Sequence, residues 1–387
     1  MKNRSPYIRL AGCACAIFLL SGCASLPLQS ARTYFADLYK RIPYKTEGHY
    51  RVIDIFYATD RNIEDAAAES PAFGRALADK MTFGTLNVRI DPDVTIGKML
   101  PNRLKRRGTI GVQEVGKLND GEFIKKLSET VAASPHKSLL VMVFGYKDNF
   151  EATAIKASYF AYLLDVNTPV LLFDWPGDQS VSIGGYKKAH DYAKSSGPYL
   201  GELLTKVAKQ VKPEKIWVVA SSLGCQVVCD AFDHMHKDPD LADTEAEIDH
   251  VVLAAPDVGQ KEFDEQFKHE LAALSKKLTT YVSANDGALL MSGFINGEKR
   301  LGRHREKKQD QMDETKDILY LKSLEPDRIT LVDVTPINKA SYGHGYYLES
   351  PEFYDDFYMR ILGKSPNANR RLYLLKFKDG TDYWVLR

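Results

Sequence analysis

The sequence predicts an α/β domain built on a mainly parallel central sheet flanked by helices, with a β-hairpin appended at the C-terminal end. Three observations predict it. From Ser138 onward, continuous apolar runs of five to seven residues recur along the chain. Such runs suit strands buried on both faces of a parallel sheet. Each run is followed by a stretch with helical character, and repeated strand–helix alternation is the mark of an α/β domain. Finally, two alternating runs between Leu372 and Leu386 flank Lys378-Asp379-Gly380-Thr381, and Asp-Gly between strand-like runs is a strong hairpin signal.

Residues 1–22 read as a signal peptide. Lys2, Arg4 and Arg9 form a positive leader, and Leu10 to Leu20 an apolar stretch. That stretch is too short to span a bilayer comfortably, which takes about 20 residues. Leu20-Ser21-Gly22-Cys23 follows and resembles the bacterial lipobox. The resemblance implies a diacylglycerol on the Cys23 thiol, Cys23 as the mature N-terminus, and attachment to a membrane. Ala24 in place of an aspartate resembles the signal for transfer to the outer membrane, implying its periplasmic face as the location. Residues 23–49 read as a lipidated tether with one helical stretch, Thr33 to Lys40.

The domain proper is expected over 50–363. Strands are expected at 52–57, 85–90 and 109–115, separated by Gly, Pro and charged loops. Then follow a strand at 138–144, a helix at 151–165, a strand at 169–173 and a helix at 190–210. A strand at 216–220 leads into a helix at 223–236. Strand 250–255, helix 263–277 and strand 278–283 continue the alternation, and strand 329–334 and helix 351–362 close it. Residues 364–387 form the hairpin extension.

The composition is that of a globular chain and excludes a disordered one. A formal net charge of +1 leaves no global field to attract nucleic acid. Two basic runs, Arg103 to Arg107 and Arg300 to Lys308, and the acidic stretch Asp310 to Asp317 read as solvated loop surface; contact of the basic runs with anionic headgroups is the alternative. Cys225 and Cys229 stand four apart on one expected helix, about 5–6 Å between Cβ atoms, too far for a disulfide. They are expected to be buried free thiols. No cysteine or histidine spacing suits a metal, and no cofactor is implied.

The chemistry is expected at Ile216-Trp217-Val218-Val219-Ala220-Ser221-Ser222-Leu223-Gly224, which reads as strand, tight turn, helix. In a nucleophile elbow, a serine sits on a strained turn at the carboxyl end of a strand. Small residues two before and two after it let neighbouring backbone approach; Ala220 and Gly224 hold those places. The amino end of the following helix favours developing negative charge at the site. An acid and a histidine should follow in that order from later strand ends. Asp286, in Ala284-Asn285-Asp286, and His344, in Gly343-His344-Gly345, fit that order.

These residue types form a working set. A serine hydroxyl is a poor nucleophile until an imidazole takes its proton, and a carboxylate fixes the imidazole tautomer. The oxyanion donors are expected at the Leu223 backbone N–H and around Tyr146 or Lys147, after the 138–144 strand. Asp286 also fits a helix N-cap. Asp257, in Ala255-Pro256-Asp257, is the alternative acid.

At this point the chain resembles the bacterial α/β-hydrolases classed as domain of unknown function 900. The residues that carry the likeness, over roughly 51–350, are Phe56-Tyr57-Ala58-Thr59-Asp60-Arg61, Phe83-Gly84, Val143-Phe144-Gly145-Tyr146, Leu172-Phe173-Asp174-Trp175-Pro176, Ala254-Ala255-Pro256-Asp257-Val258, Tyr281-Val282-Ser283-Ala284-Asn285-Asp286, Arg300-Leu301-Gly302 and Gly343-His344. The resemblance implies the α/β-hydrolase fold, with Ser222 as nucleophile, Asp286 as acid and His344 as base. Two positions depart from the family pattern: Ser221 and Phe144 stand where it usually has histidine. Two readings of function follow. One is a membrane-anchored serine hydrolase of the esterase or lipase kind, acting on an ester or acyl substrate. The other is a catalytically degenerate scaffold, serving as a binding or envelope-assembly lipoprotein.

Overall fold

A computed structural model describes residues 41–65, 71–97, 108–237, 248–303, 329–364, 369–376 and 382–387. The expected signal peptide, Cys23 and the 33–40 helix lie outside the described residues. So do the first basic run, residues 304–308 of the second, the acidic stretch and the hairpin turn.

The strands are β1 Lys45–Glu47, β2 Tyr50–Asp65, β3 Ala72–Ile90, β4 Ile110–Leu118, β5 Ser138–Val143, β6 Val170–Asp174, β7 Lys215–Ser221, β8 His250–Ala254, β9 Leu278–Val282, β10 Ile329–Asp333, β11 Leu372–Lys376 and β12 Asp382–Leu386. They form one sheet in the order β11-β12-β10-β9-β8-β7-β5-β6-β2-β3-β4, with β1 added beside β2. From β2 through β6, β5, β7, β8 and β9 to β10, every neighbouring pair is parallel. The β2–β3–β4 meander at the other end is antiparallel.

The continuous apolar runs have a direct cause. In β5, Leu139, Val141 and Val143 enter one core, while Leu140 and Met142 enter the other. Strand β7 divides the same way, Val218 and Ala220 against Trp217 and Val219. Both faces of these strands meet helices, so neither can carry alternating polar residues.

The helices are α1 Asp120–Ala133, α2 Phe150–Leu164, α3 Ile183–Lys206, α4 Gly224–His236, α5 Lys268–Leu274, α6 Gly287–Asn296 and α7 Pro351–Ile361. Capping explains several starts. Asn119 and Glu122 form a capping box on α1, and Asn149 caps α2. Helix α3 begins seven residues before its expected start at 190, because Ser182 Oγ accepts the Gly185 N–H and carries the helix through Gly184-Gly185. The expected helix at 263–277 is instead broken into short helical segments from Gln260 to Leu274, one of them the π-helical turn Phe263–Phe267.

The hairpin strands β11 and β12 pair antiparallel as expected. Strand β12 also pairs in parallel with β10, so the hairpin extends the main sheet. Cys225 and Cys229 are buried free thiols.

Candidate active site

Strand β7 ends at Ser221 and α4 begins at Gly224, so the whole turn is Ser222-Leu223. Ser222 sits in the left-handed region at φ 54°, a conformation that a non-glycine residue adopts only when its surroundings enforce it. The enforcement is visible. The Ser222 N–H donates to Ala254 O on β8 (3.0 Å), and Ser222 O accepts the Asp257 N–H (3.1 Å). Close backbone approach completes the elbow: a Cβ at Gly224 would lie 2.6 Å from Val143 O, and one at Gly145 would lie 2.7 Å from Ser222 Cβ.

Asp286 and His344 converge on this serine. His344 Nε2 lies 2.8 Å from Ser222 Oγ, and His344 Nδ1 lies 2.7 Å from Asp286 Oδ2. The three side chains are contributed by the ends of β7, β9 and β10, as the order along the chain required. Asp286 is fully buried, whereas His344 is about a quarter exposed. The two readings of Asp286 turn out to be compatible. Its Oδ1 accepts the Leu289 N–H at the start of α6 while Oδ2 faces the imidazole. The cap therefore holds the carboxylate in the orientation that the histidine needs.

Asp257 is directed elsewhere. Its Oδ1 accepts from Arg300 Nε (2.6 Å) and Ser292 Oγ (2.5 Å), and its Oδ2 accepts from Tyr186 (2.9 Å). Burial raises the Tyr186 hydroxyl to about 12, and the Asp257 charge adds to the shift. Asp257 thus anchors α6 and α3 at the rim, and the structure does not bring it to the imidazole.

The expected oxyanion region narrows. The Lys147 N–H donates to Gly177 O (3.0 Å), so its backbone is not a free donor, a correction to its inclusion. The positive φ of 80° at Lys147 turns the chain so that this bond can form. Among the described residues, the Leu223 and Tyr146 N–H groups make no backbone hydrogen bond, leaving two donors at the elbow and the facing loop.

Supporting residues escaped the sequence reading. Trp175 Nε1 donates to Phe144 O (2.7 Å), fixing the loop that carries Tyr146. Arg61, fully buried, donates to Asp174 and Asp178 (2.5 Å each) and to Asp148 O (2.9 Å) in that same loop. Asn338 Nδ2 donates to Gly343 O and Ser283 Oγ, holding the histidine loop to the end of β9. Tyr346 bridges two strands: its hydroxyl accepts the Ala255 N–H (2.6 Å) and donates to Tyr281 O (2.9 Å). The motifs containing Asp60-Arg61 and Asp174-Trp175 were the available signal, but motif alone does not name a partner. At the two departing positions, Phe144 is buried and Ser221 is buried beside Tyr347. Neither substitution disturbs the serine–histidine–aspartate alignment.

A serine on an elbow at the carboxyl end of a middle strand, in a parallel sheet covered by helices on both faces, defines the α/β-hydrolase fold. A family model described as "Alpha/beta hydrolase of unknown function (DUF900)" matches residues 119–364, and the chain belongs to that family. The match begins just after β4, so the resemblance read at Tyr57-Ala58-Thr59-Asp60-Arg61 lies outside it. No curated protein matches the chain. Similar solved structures include a "predicted CIB-like hydrolase from Thermoplasma acidophilum", 14% identical, covering 59% of this chain and 87% of that one at a TM-score of 0.33. The esterase Pf2001 of Pyrococcus furiosus is 10% identical, with coverage of 83% and 96% and a TM-score of 0.34. Phospholipase PlaB from Legionella pneumophila is 10% identical, with coverage of 64% and 68% and a TM-score of 0.29. Identities and scores this low say nothing about substrate.

Proposed function

We propose that the protein is a membrane-anchored serine hydrolase that cleaves an ester or related acyl substrate. The observation that carries this reading is the unbroken relay Asp286–His344–Ser222, with contacts of 2.7 and 2.8 Å. In the proposed reaction, Ser222 Oγ attacks the carbonyl carbon as its proton passes to His344 Nε2. The Leu223 and Tyr146 N–H groups receive the charge on the carbonyl oxygen. Collapse of the intermediate breaks the acyl–oxygen bond, and the leaving alcohol takes the proton from His344. Water then gives a proton to His344 and attacks the acyl-enzyme, releasing the acid and restoring Ser222. Asp286 keeps the imidazole in the tautomer that accepts at Nε2 and stabilises its charged form.

Labelling with a fluorophosphonate probe tests the reading. Wild-type protein should label and Ser222→Ala should not; equal labelling of the two, or none in folded wild type, contradicts it. The membrane half of the proposal rests on Leu20-Ser21-Gly22-Cys23 and places the lipid on Cys23, at the periplasmic face of an outer membrane. Radiolabelled palmitate should enter the full-length chain expressed in a Gram-negative host and be absent from Cys23→Ser.

A further inference from the structure

Helix α6 breaks a rule of helix composition. Its sequence, Gly-Ala-Leu-Leu-Met-Ser-Gly-Phe-Ile-Asn, contains no charged residue. A helix so apolar all round is normally buried, yet only Leu289 and Ser292 are buried here. Met291 is 61% exposed and Phe294 75% exposed. Phe294 faces away from the cleft beside the triad, but Met291 does not stand in open surface without context. Met291 and Ile295 line a cleft of about 420 Å³ that also contains Ser222 and His344, and Val181 and Ile183, themselves 78% and 63% exposed, line the same cleft. An exposed apolar surface gathered around one opening marks a binding site.

The polar groups in the cleft narrow what can bind. Tyr186, Ser292 and Asp257 are hydrogen-bonded to one another, and Arg300 completes their set. Ser182 Oγ caps α3. Lys147 also lines the cleft, its ammonium 5.6 Å from the centre of the Tyr146 ring. Apart from that cation, a sugar or a peptide backbone would find few open partners there and would lose its own hydration, whereas a hydrocarbon chain would cover Met291, Ile295, Val181 and Ile183. We infer that this cleft holds the acyl chain, and that the substrate is an ester of a medium or long unbranched acyl chain whose carbonyl reaches Ser222. The inference rests on the hydrolase reading and adds the substrate class to it.

The test uses the full-length protein and a series of p-nitrophenyl esters, from acetate through butanoate and hexanoate to octanoate, each below its micelle concentration. Each methylene buried in the transition state raises kcat/KM by up to about fourfold, so octanoate should exceed acetate by about thirtyfold or more. The double variant Ile183→Asn, Met291→Asn changes only exposed side chains, which leaves the fold standing. It should lower the octanoate-to-acetate ratio about tenfold or more. A flat or falling series with acetate still cleaved overturns the acyl-chain inference while leaving the hydrolase reading in place, as does a ratio unchanged in the double variant. Turnover of no ester, or equal turnover by Ser222→Ala, overturns the hydrolase reading and this inference with it.

Discussion

Asp286 and Asp257 stand near the same serine, and replacing each by asparagine should produce opposite outcomes. In Asp286→Asn, Oδ1 can still accept the Leu289 N–H, and asparagine is as good an N-cap as aspartate. Helix α6 should keep its start, and the melting temperature should move little. The contact at His344 Nδ1, 2.7 Å away, changes its sense. An amide N–H now donates to Nδ1, so the ring proton moves to Nε2 and the imidazole can no longer accept from Ser222. In serine hydrolases with this arrangement the same exchange lowers kcat by roughly 10⁴, about 5.4 kcal/mol of activation free energy. Asp257→Asn instead leaves the buried Arg300 guanidinium without its carboxylate. Breaking one side of a buried pair costs about 3–5 kcal/mol of stability, while the relay keeps its geometry. The rate of fluorophosphonate labelling, measured beside thermal unfolding, separates the two. The reasoning fails if Asp286→Asn keeps more than a tenth of the wild-type rate, or if Asp257→Asn loses its rate with an unchanged melting temperature.

Three further outcomes follow from other contacts. Gly145→Ala places a methyl 2.7 Å from Ser222 Cβ and 3.0 Å from its Oγ. A displacement of the nucleophile by about 1 Å costs on the order of 100-fold in rate, which the labelling rate would register. Arg61→Met leaves the fully buried Asp174 carboxylate, whose pKa burial already raises, without its partner. Unfolding in urea should show a loss of about 3–5 kcal/mol, with unchanged stability as the contrary result. Asp60 supplies a pH dependence. Its two oxygens are buried without a hydrogen-bond partner, and desolvation lifts its pKa from 3.8 to about 7, the facing Ser196 offsetting only part of the rise. The folded state therefore holds this proton more tightly than the unfolded chain. Its contribution to stability is complete below about pH 4 and is lost as pH rises toward 7, a change on the order of 4 kcal/mol. Asp60→Asn should flatten that part of the stability–pH curve and be the more stable protein at pH 7; a curve with the same slope would contradict the assignment.

The parts of the fold legible in the sequence are those governed by local rules. Strands β5 and β7 showed as unbroken apolar runs because both of their faces are covered. Ser222, Asp286 and His344 could be ordered because each follows a strand with a clear end. Other features depend on partners far along the chain. Nothing local distinguishes Asp257, engaged by Arg300 from 43 residues away, from an aspartate free to orient a histidine. Strand β3 read as short because much of its outer length is exposed or half-exposed and polar, and β2 because its buried continuation Thr59-Asp60-Arg61 is polar, while the structure pairs them from Arg51–Ile90 to Asp65–Ala72 through register shifts. The early start of α3 was hidden by Gly184-Gly185, residues that ordinarily end helices. The Lys147 N–H could not be eliminated as an oxyanion donor until Gly177, thirty residues on, was seen to accept it.

Locating the probe's adduct by peptide mass spectrometry bears most directly on the relay. After fluorophosphonate treatment of the folded wild type, a single adduct should fall on Ser222 and vanish in both Ser222→Ala and His344→Ala. An adduct on Ser221 or elsewhere, or one formed equally fast without His344, would contradict the role of Ser222 as an activated nucleophile.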